Sequence, residues 1–170
     1  SVFGRPLDEQ DAVEILGTGQ VRSPFLSPDG AWIGYFSNNN SMKKVSVTGG
    51  PPVTIWAGRS SVATVVSGNP RGAAWMPDDT IVFATADRSS GLMRVPGGGG
   101  EPKVLTTVNG KDELDHVWPE PLPGRQAVLF TIVTRGVLED AEVAILDLTT
   151  GERKILVRGG SDAQYVRGDH

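Results

Sequence analysis

The stretch Ser27-Pro28-Asp29-Gly30, followed by the apolar run Trp32-Ile33-Gly34-Tyr35-Phe36, sets the plan of the chain. Proline at the second turn position presets φ, Asp bonds its own backbone, and Gly takes the left-handed position, so the tetrapeptide reads as a turn entering a strand. The same layout returns at Met76-Pro77-Asp78-Asp79 before Ile81-Val82-Phe83-Ala84. It returns again at Leu122-Pro123-Gly124-Arg125 before Ala127-Val128-Leu129-Phe130. Pro28, Pro77 and Pro123 stand 49 and 46 residues apart. A period in the forties carried by a strand–turn–strand unit is the sequence signature of a propeller blade.

Working outward from these turns, a first blade over 21–58 has strands at 21–26, 31–37, 43–47 and 52–56. A second over 70–110 has strands at 72–76, 80–84, 91–95 and 103–107, its last turn being the glycine run at 97–100. A third over 115–160 has strands at 117–122, 126–133, 142–147 and 154–157. Residues 140–148 alone fit a short helix equally well, and the repeat alignment decides for a strand. The apolar residues 62–66 fall in an irregular loop between the first two blades. Residues 1–19 read as a hairpin, with runs at 1–7 and 12–16, that supplies the closing strands of a preceding blade. Residues 161–170 align with the opening strand of a further blade, Tyr165-Val166-Arg167 falling where Leu26-Ser27-Pro28 fall. The expected architecture is all-β: β-propeller blades that are four-stranded antiparallel meanders, about three whole blades plus partial blades at both ends. Three blades leave two apolar faces open and cannot close a ring. Closure is expected from further blades of a longer chain or from another copy. A homo-oligomer is favoured, a dimer giving about eight blades, although the strand between tail and head is missing.

Composition narrows the function classes. Hydrophobic residues make up 38% and charged residues 21% of 170, which fits a globular chain able to bury a core. The net charge is −4 and the basic residues are scattered, with Lys43-Lys44 an adjacent pair, which argues against a nucleic-acid partner. Without cysteine there is no disulfide framework, thiolate zinc site or cysteine nucleophile. No apolar run approaches the roughly 20 residues of a membrane helix. The 22 glycines and 12 prolines sit between apolar runs, which separates short strands from low-complexity disorder.

Several residue groups invite a chemical reading. Gly159-Gly160-Ser161-Asp162-Ala163 imitates the Gly-x-Ser-x-Gly elbow but ends in alanine and lacks the following helix, so a blade-to-blade turn is the better reading. Asp115-His116 with Glu120 places one histidine and two carboxylates near the start of an innermost strand. Asp115, His116, Glu120 and Asp162 are the candidate metal ligands, and none is assigned: His116 and His170 are the only histidines, too few nitrogen donors for a typical transition-metal site. Gly97–Gly100 lacks the Lys-Ser/Thr and helix of a phosphate cradle and reads as a hairpin turn. Asn39-Asn40-Ser41 fits a glycosylation sequon and reads as a turn. Trp32, Trp56, Trp75 and Trp118 recur within blades, as sheet-packing aromatics or as part of a ligand-binding rim.

The chain resembles the TolB-like, WD-repeat-like propeller repeats, and is most similar to the C-terminal propellers of some bacterial serine/threonine protein kinases. The residues that carry this are Arg5-Pro6-Leu7-Asp8, Ser23-Pro24-Phe25 through Trp32-Ile33-Gly34, Lys44 through Pro52, Arg71-Gly72-Ala73, Trp118-Pro119-Glu120 and Gly159 through Ala163. Departures are Asp79 in place of the usual Gly, Gly124 in place of Asp, and Arg167 in place of Pro. No Val-Ala-Ile-Lys, His-Arg-Asp or Asp-Phe-Gly motif of a kinase is present. The resemblance implies an extracytoplasmic location and a module that presents loops to a protein partner or small ligand. The expectation is therefore a chain that is not an enzyme, with no catalytic residues and no cofactor. Two alternatives stand beside it: part of the gating propeller of a prolyl-oligopeptidase-like peptidase, or a lactonase-type propeller with calcium on Asp115, Glu120 and Asp162.

Overall fold

A computed structural model describes residues 2–4, 13–15, 19–37, 41–57, 69–87, 90–135 and 140–166. Among them there is no α-helix, and hence no helix long and apolar enough to cross a membrane. Strand β1 (Val2–Gly4) pairs antiparallel with β2 (Val13–Ile15), as a two-stranded sheet. Three four-stranded antiparallel sheets follow, each in meander order. The first holds β3 (Arg22–Leu26), β4 (Trp32–Phe36), β5 (Met42–Ser46) and β6 (Val53–Trp56). The second holds β7 (Pro70–Trp75), β8 (Thr80–Thr85), β9 (Met93–Pro96) and β10 (Lys103–Val104). The third holds β11 (Glu113–Pro121), β12 (Ala127–Thr134), β13 (Glu142–Asp147) and β14 (Arg153–Arg158). These are β-propeller blades, and the innermost strands β3, β7 and β11 lie side by side.

The turns do the work their residues suggest. Gly30 at φ 69° closes the first by donating its N–H to the Ser27 carbonyl at 2.9 Å, and the Asp29 carboxylate takes the Ala31 N–H at 3.0 Å. In the second, Asp79 adopts the left-handed conformation at φ 58°, which Asp tolerates better than most side chains. The third turn differs. Its left-handed residue is Gly124, one position earlier, as a type II turn requires, so glycine there is demanded by the geometry.

A second periodic feature lies in the innermost strands. Ser23, Gly72 and Trp118 all have positive φ, each five residues before the turn proline, and each sits at a register shift of its ladder. The bulge frees one residue from pairing and bends the strand. Asp162, a further 44 residues on, holds the same conformation at φ 51°.

Apolar faces of adjacent blades form the core. Phe36, Met42, Ile55 and Trp56 of the first blade pack against Trp75, Ile81, Phe83 and Met93 of the second. Met76, Val82 and Leu92 of the second pack against Val128, Phe130, Ile132 and Leu146 of the third. Phe83 is central to the first interface, its ring 6.0 Å from that of Phe36 and 5.7 Å from that of Trp56. The glycine run 97–100 belongs to the same interface. Gly100 donates to the Ile55 carbonyl at 3.3 Å, and a Cβ on Gly99 would stand 3.0 Å from that oxygen.

The structure departs from the expectations in places. Strand β11 opens at Glu113, four residues before the expected start, because Glu113 and Asp115 already pair with Thr134 and Val133. Within residues 140–148 the expected strand is present as β13. Residues 161–166 form no ladder: an opening strand needs a second strand to pair with, and none lies beside it among the described residues. Residues 62–66, the hairpin connection at 5–12 and Arg167 lie outside the described residues.

Burial of an aromatic side chain in a close-packed interface dominates its worth. Phe83→Ala is expected to cost about 3–5 kcal/mol, whereas Val104→Ser on the half-exposed outer strand stays within about 0.5 kcal/mol. Urea denaturation of both variants checks the contrast.

Candidate functional site

A buried polar junction joins the second and third blades. His116 on β11 is fully buried, with its ring edge against Phe130 at 5.2 Å between centroids. Thr106, just after β10, accepts the Leu92 N–H on its hydroxyl oxygen at 2.8 Å, and its own proton is assigned to His116 Nδ1 at 2.8 Å. That assignment leaves the ring proton on Nε2, facing Glu113 Oε2 at 3.2 Å, with Arg153 Nη1 also 3.2 Å from Nε2. Arg153 on β14 reaches Glu113 Oε1 with Nη2 at 2.8 Å, and the Asn109 N–H donates to Glu113 Oε2 at 3.2 Å. Burial pushes the imidazole below its ordinary value of 6.5, against the pull of Glu113. Burial would raise the Glu113 carboxyl, but Arg153 and the Asn109 N–H outweigh it and hold that carboxyl below its usual range. Both ring nitrogens of His116 are thus engaged, and neither offers a lone pair to a metal ion.

The first and second blades meet at a different kind of junction. Lys44 on β5 places its ammonium 4.9 Å from the Trp32 ring centre and 5.6 Å from that of Trp75, and donates to the Gly97 carbonyl at 2.9 Å. Trp75 Nε1–H donates to Asp79 Oδ1 at 2.9 Å. The turns at Ser27–Asp29 and Met76–Asp79 rim a cleft of about 320 Å³ above this sandwich. A wider cleft of about 520 Å³ lies on the third blade among Arg125, Ile145 and Lys154.

The candidate ligands do not converge. Asp115 Oδ1 takes the His116 backbone N–H at 2.9 Å, His116 enters the inter-blade junction, and Glu120 lies near Asp162 and the Tyr165 N–H. Among the described residues no three His, Cys, Asp or Glu side chains gather as a metal would require. Ser161 has no following helix among the described residues, and Gly159 and Gly160 both donate to the Ala141 carbonyl at 2.9 Å. The tryptophans divide. Trp56 and Trp75 are buried between blades, Trp118 carries a bulge, and Trp32 is half-buried at the cleft. Thr106, Arg153 and Lys44 escaped sequence reading because their partners come from other strands, and Glu113 because its burial depends on them. Lys43-Lys44 left a trace as an adjacent basic pair.

With the geometry in view, the chain can be set beside known proteins. No family model matches it, and no curated protein matches it. Among solved structures it is similar to an oligogalacturonate lyase in complex with manganese, at 13% identity over 79% of this chain and 52% of that one, with a TM-score of 0.41. It is similar to an arginine-to-alanine triple mutant of AofleA from Arthrobotrys oligospora, at 16% identity over 79% and 40%, TM-score 0.45. It is also similar to the tricorn protease, at 17% identity over 94% and 15%, TM-score 0.39. The chain spans about half of the first of these and less of the others. At these scores the likeness carries no residue-level correspondence. The expectation of a chain that is not an enzyme is corrected here: a lyase stands among the structures it is similar to, and blade architecture alone does not settle catalysis.

Glu120 gives a testable electrostatic consequence. Burial raises its carboxyl above the ordinary value and the Asp162 charge adds to this, against the Tyr165 N–H. A carboxyl raised by folding costs stability once pH climbs through that raised value. Glu120→Gln is therefore expected to raise Tm at pH 7 and to leave it unchanged near about pH 3.5, where the carboxyl is already neutral. Thermal unfolding of both proteins at the two pH values decides it, and an equal gain at both would contradict the assignment.

Proposed function

We propose that this chain is an arc of a β-propeller of the TolB-like kind that serves as an interaction module, its ring closed by further blades. One comparison within the structure supports the reading. Ile55 and Trp56 on β6 are 4% and 3% exposed, sealed by the second blade. Leu156 and Val157 occupy the matching positions on β14, each pair at the bulge of its ladder, yet they are 49% and 51% exposed. All six residues of β14 are exposed, with Ile155 joining the apolar set. A blade surface of this composition is an interface position. The closing blades come from the same polypeptide or from another copy, and a dimer is the simplest closed arrangement of copies.

Placing lysine at both Leu156 and Val157 tests this. The double variant is expected to keep its folding stability within about 0.5 kcal/mol, as surface changes do. It should also lose fluorescence of a dye that binds apolar surface, and any self-association seen by sedimentation. A loss of stability on the scale of a core substitution would mean the face is already covered within the chain, and would overturn the reading. A wild-type chain that stays monomeric at high concentration removes a second copy as the source of the blades.

A further inference from the structure

We propose that the cluster of His116, Thr106, Glu113 and Arg153 is a pH-sensitive joint that loosens the third blade from the second when the imidazole takes up a proton. The inference starts from what the site can satisfy. The groups that face His116 come from every element around it: Glu113 and Asp115 from its own strand, Thr106 and the Leu92 amide from the second blade, Phe130 from β12, and Arg153 from β14.

With a neutral ring, donors and acceptors match from Leu92 to Glu113, and Arg153 Nη1 stands 3.2 Å from Nε2 as a second donor beside the same carboxylate. Leu92 N–H donates to Thr106 Oγ1, the Thr106 hydroxyl donates to Nδ1, and Nε2–H donates to Glu113. A second ring proton breaks this order. Nδ1–H then takes the second lone pair of the oxygen that already accepts from Leu92, and the Thr106 hydroxyl proton loses its acceptor. The imidazolium also lies 3.2 Å from Arg153 Nη1, so two cations share the Glu113 carboxylate in a site where His116 has no water contact. Asp115 Oδ1 takes the His116 backbone N–H at 2.9 Å. Unpaired charge and an orphaned hydroxyl in a buried site are costly.

The way to relieve both is to let water reach Nδ1, which means moving Thr106 away. Thr106 belongs to the second blade, and His116, Glu113 and Arg153 belong to the third, so relief separates the blades. The direction of the linkage agrees. Burial lowers the imidazole in the folded state, so the closed joint is fully favoured above the ordinary value near 6.5 and is lost as pH falls from there toward the lowered one. One proton taken up on opening raises the opening constant by up to about tenfold per pH unit in that window. The other joint has no histidine among its contacts: Lys44, Trp32, Trp75 and Asp79 build it.

Hydrogen exchange read by mass spectrometry on the full chain from pH 7.5 to 5, corrected for the intrinsic rate, tests the joint. Peptides covering 91–95 and 104–118 are expected to lose protection below about pH 6.5, while those covering 32–36 and 80–84 change little. His116→Gln is expected to flatten the pH dependence of the first set. Because that variant replaces a buried side chain and can fail to fold, NMR titration of the wild-type imidazole gives an independent reading. His170→Asn assigns the signal, since the chain has only two histidines. A His116 resonance that titrates below the ordinary value, together with the loss of protection, supports the joint. Equal pH slopes in wild type and His116→Gln, or protonation of His116 with protection unchanged, would overturn it.

Discussion

A four-stranded blade has two apolar faces and can bury neither alone. Everything in this chain follows from that. The first interface is filled by Phe36, Met42 and Trp56 against Phe83 and Met93, the second by Val128, Phe130 and Ile132 against Val82 and Leu92. Within one blade the hydrogen-bonded ladder fixes the register, but packing energy arises between blades. The middle blade is therefore the best-buried element, with Ile81, Val82, Phe83 and Ala84 all fully enclosed. The third blade shows the converse: on β14 the same design leaves Ile155, Leu156 and Val157 in water.

The two filled interfaces share apolar content and differ in polar chemistry. Between the first and second blades an ammonium lies between two indoles, and Asp79 combines a left-handed backbone, a bond to Trp75 and a carbonyl that receives Gly97 N–H at 2.7 Å. Between the second and third blades a histidine, a threonine, a carboxylate and a guanidinium complete one another's hydrogen bonds. Such buried networks are satisfied in full or are costly, which makes them specific to one pairing of blades. A repeated scaffold thus carries joints that are not interchangeable.

How much of this could be read from residues alone depended on how local the cause was. Turns were legible, since Pro28, Asp29 and Gly30 act within four residues. So were the blade strands, whose apolar runs recur at a fixed spacing. The start of β11 was not legible because Glu113, Asp115 and His116 are polar and interrupt the apolar run. Their burial comes from Thr134, Ile132 and the second blade, none of them near in sequence. The same distance hid the junction: Thr106, Glu113 and Arg153 meet only once two blades are packed. The Gly97–Gly100 run was read as a hairpin turn, and the structure adds that its backbone rests against Ile55 of the neighbouring blade. The exclusion of catalysis failed for another reason. A missing motif bears on one chemistry at a time, and a scaffold shared by many activities bears on none.

Asp162 carries a consequence beyond the bulge itself. In the three blades the left-handed residue sits inside a ladder, where pairing on both sides holds it. In the tail the same conformation stands without a ladder, braced by the Asp162 N–H on the Thr131 hydroxyl at 2.9 Å. A strand arriving beside residues 161–166 would find the backbone already shaped. It would spend little conformational entropy on ordering its template. A fixed bulge also acts as a key. Sliding the newcomer by one residue would set a regular pair against a left-handed one and turn its apolar side chains to the wrong face. The tail in this sense is a mould that admits one register.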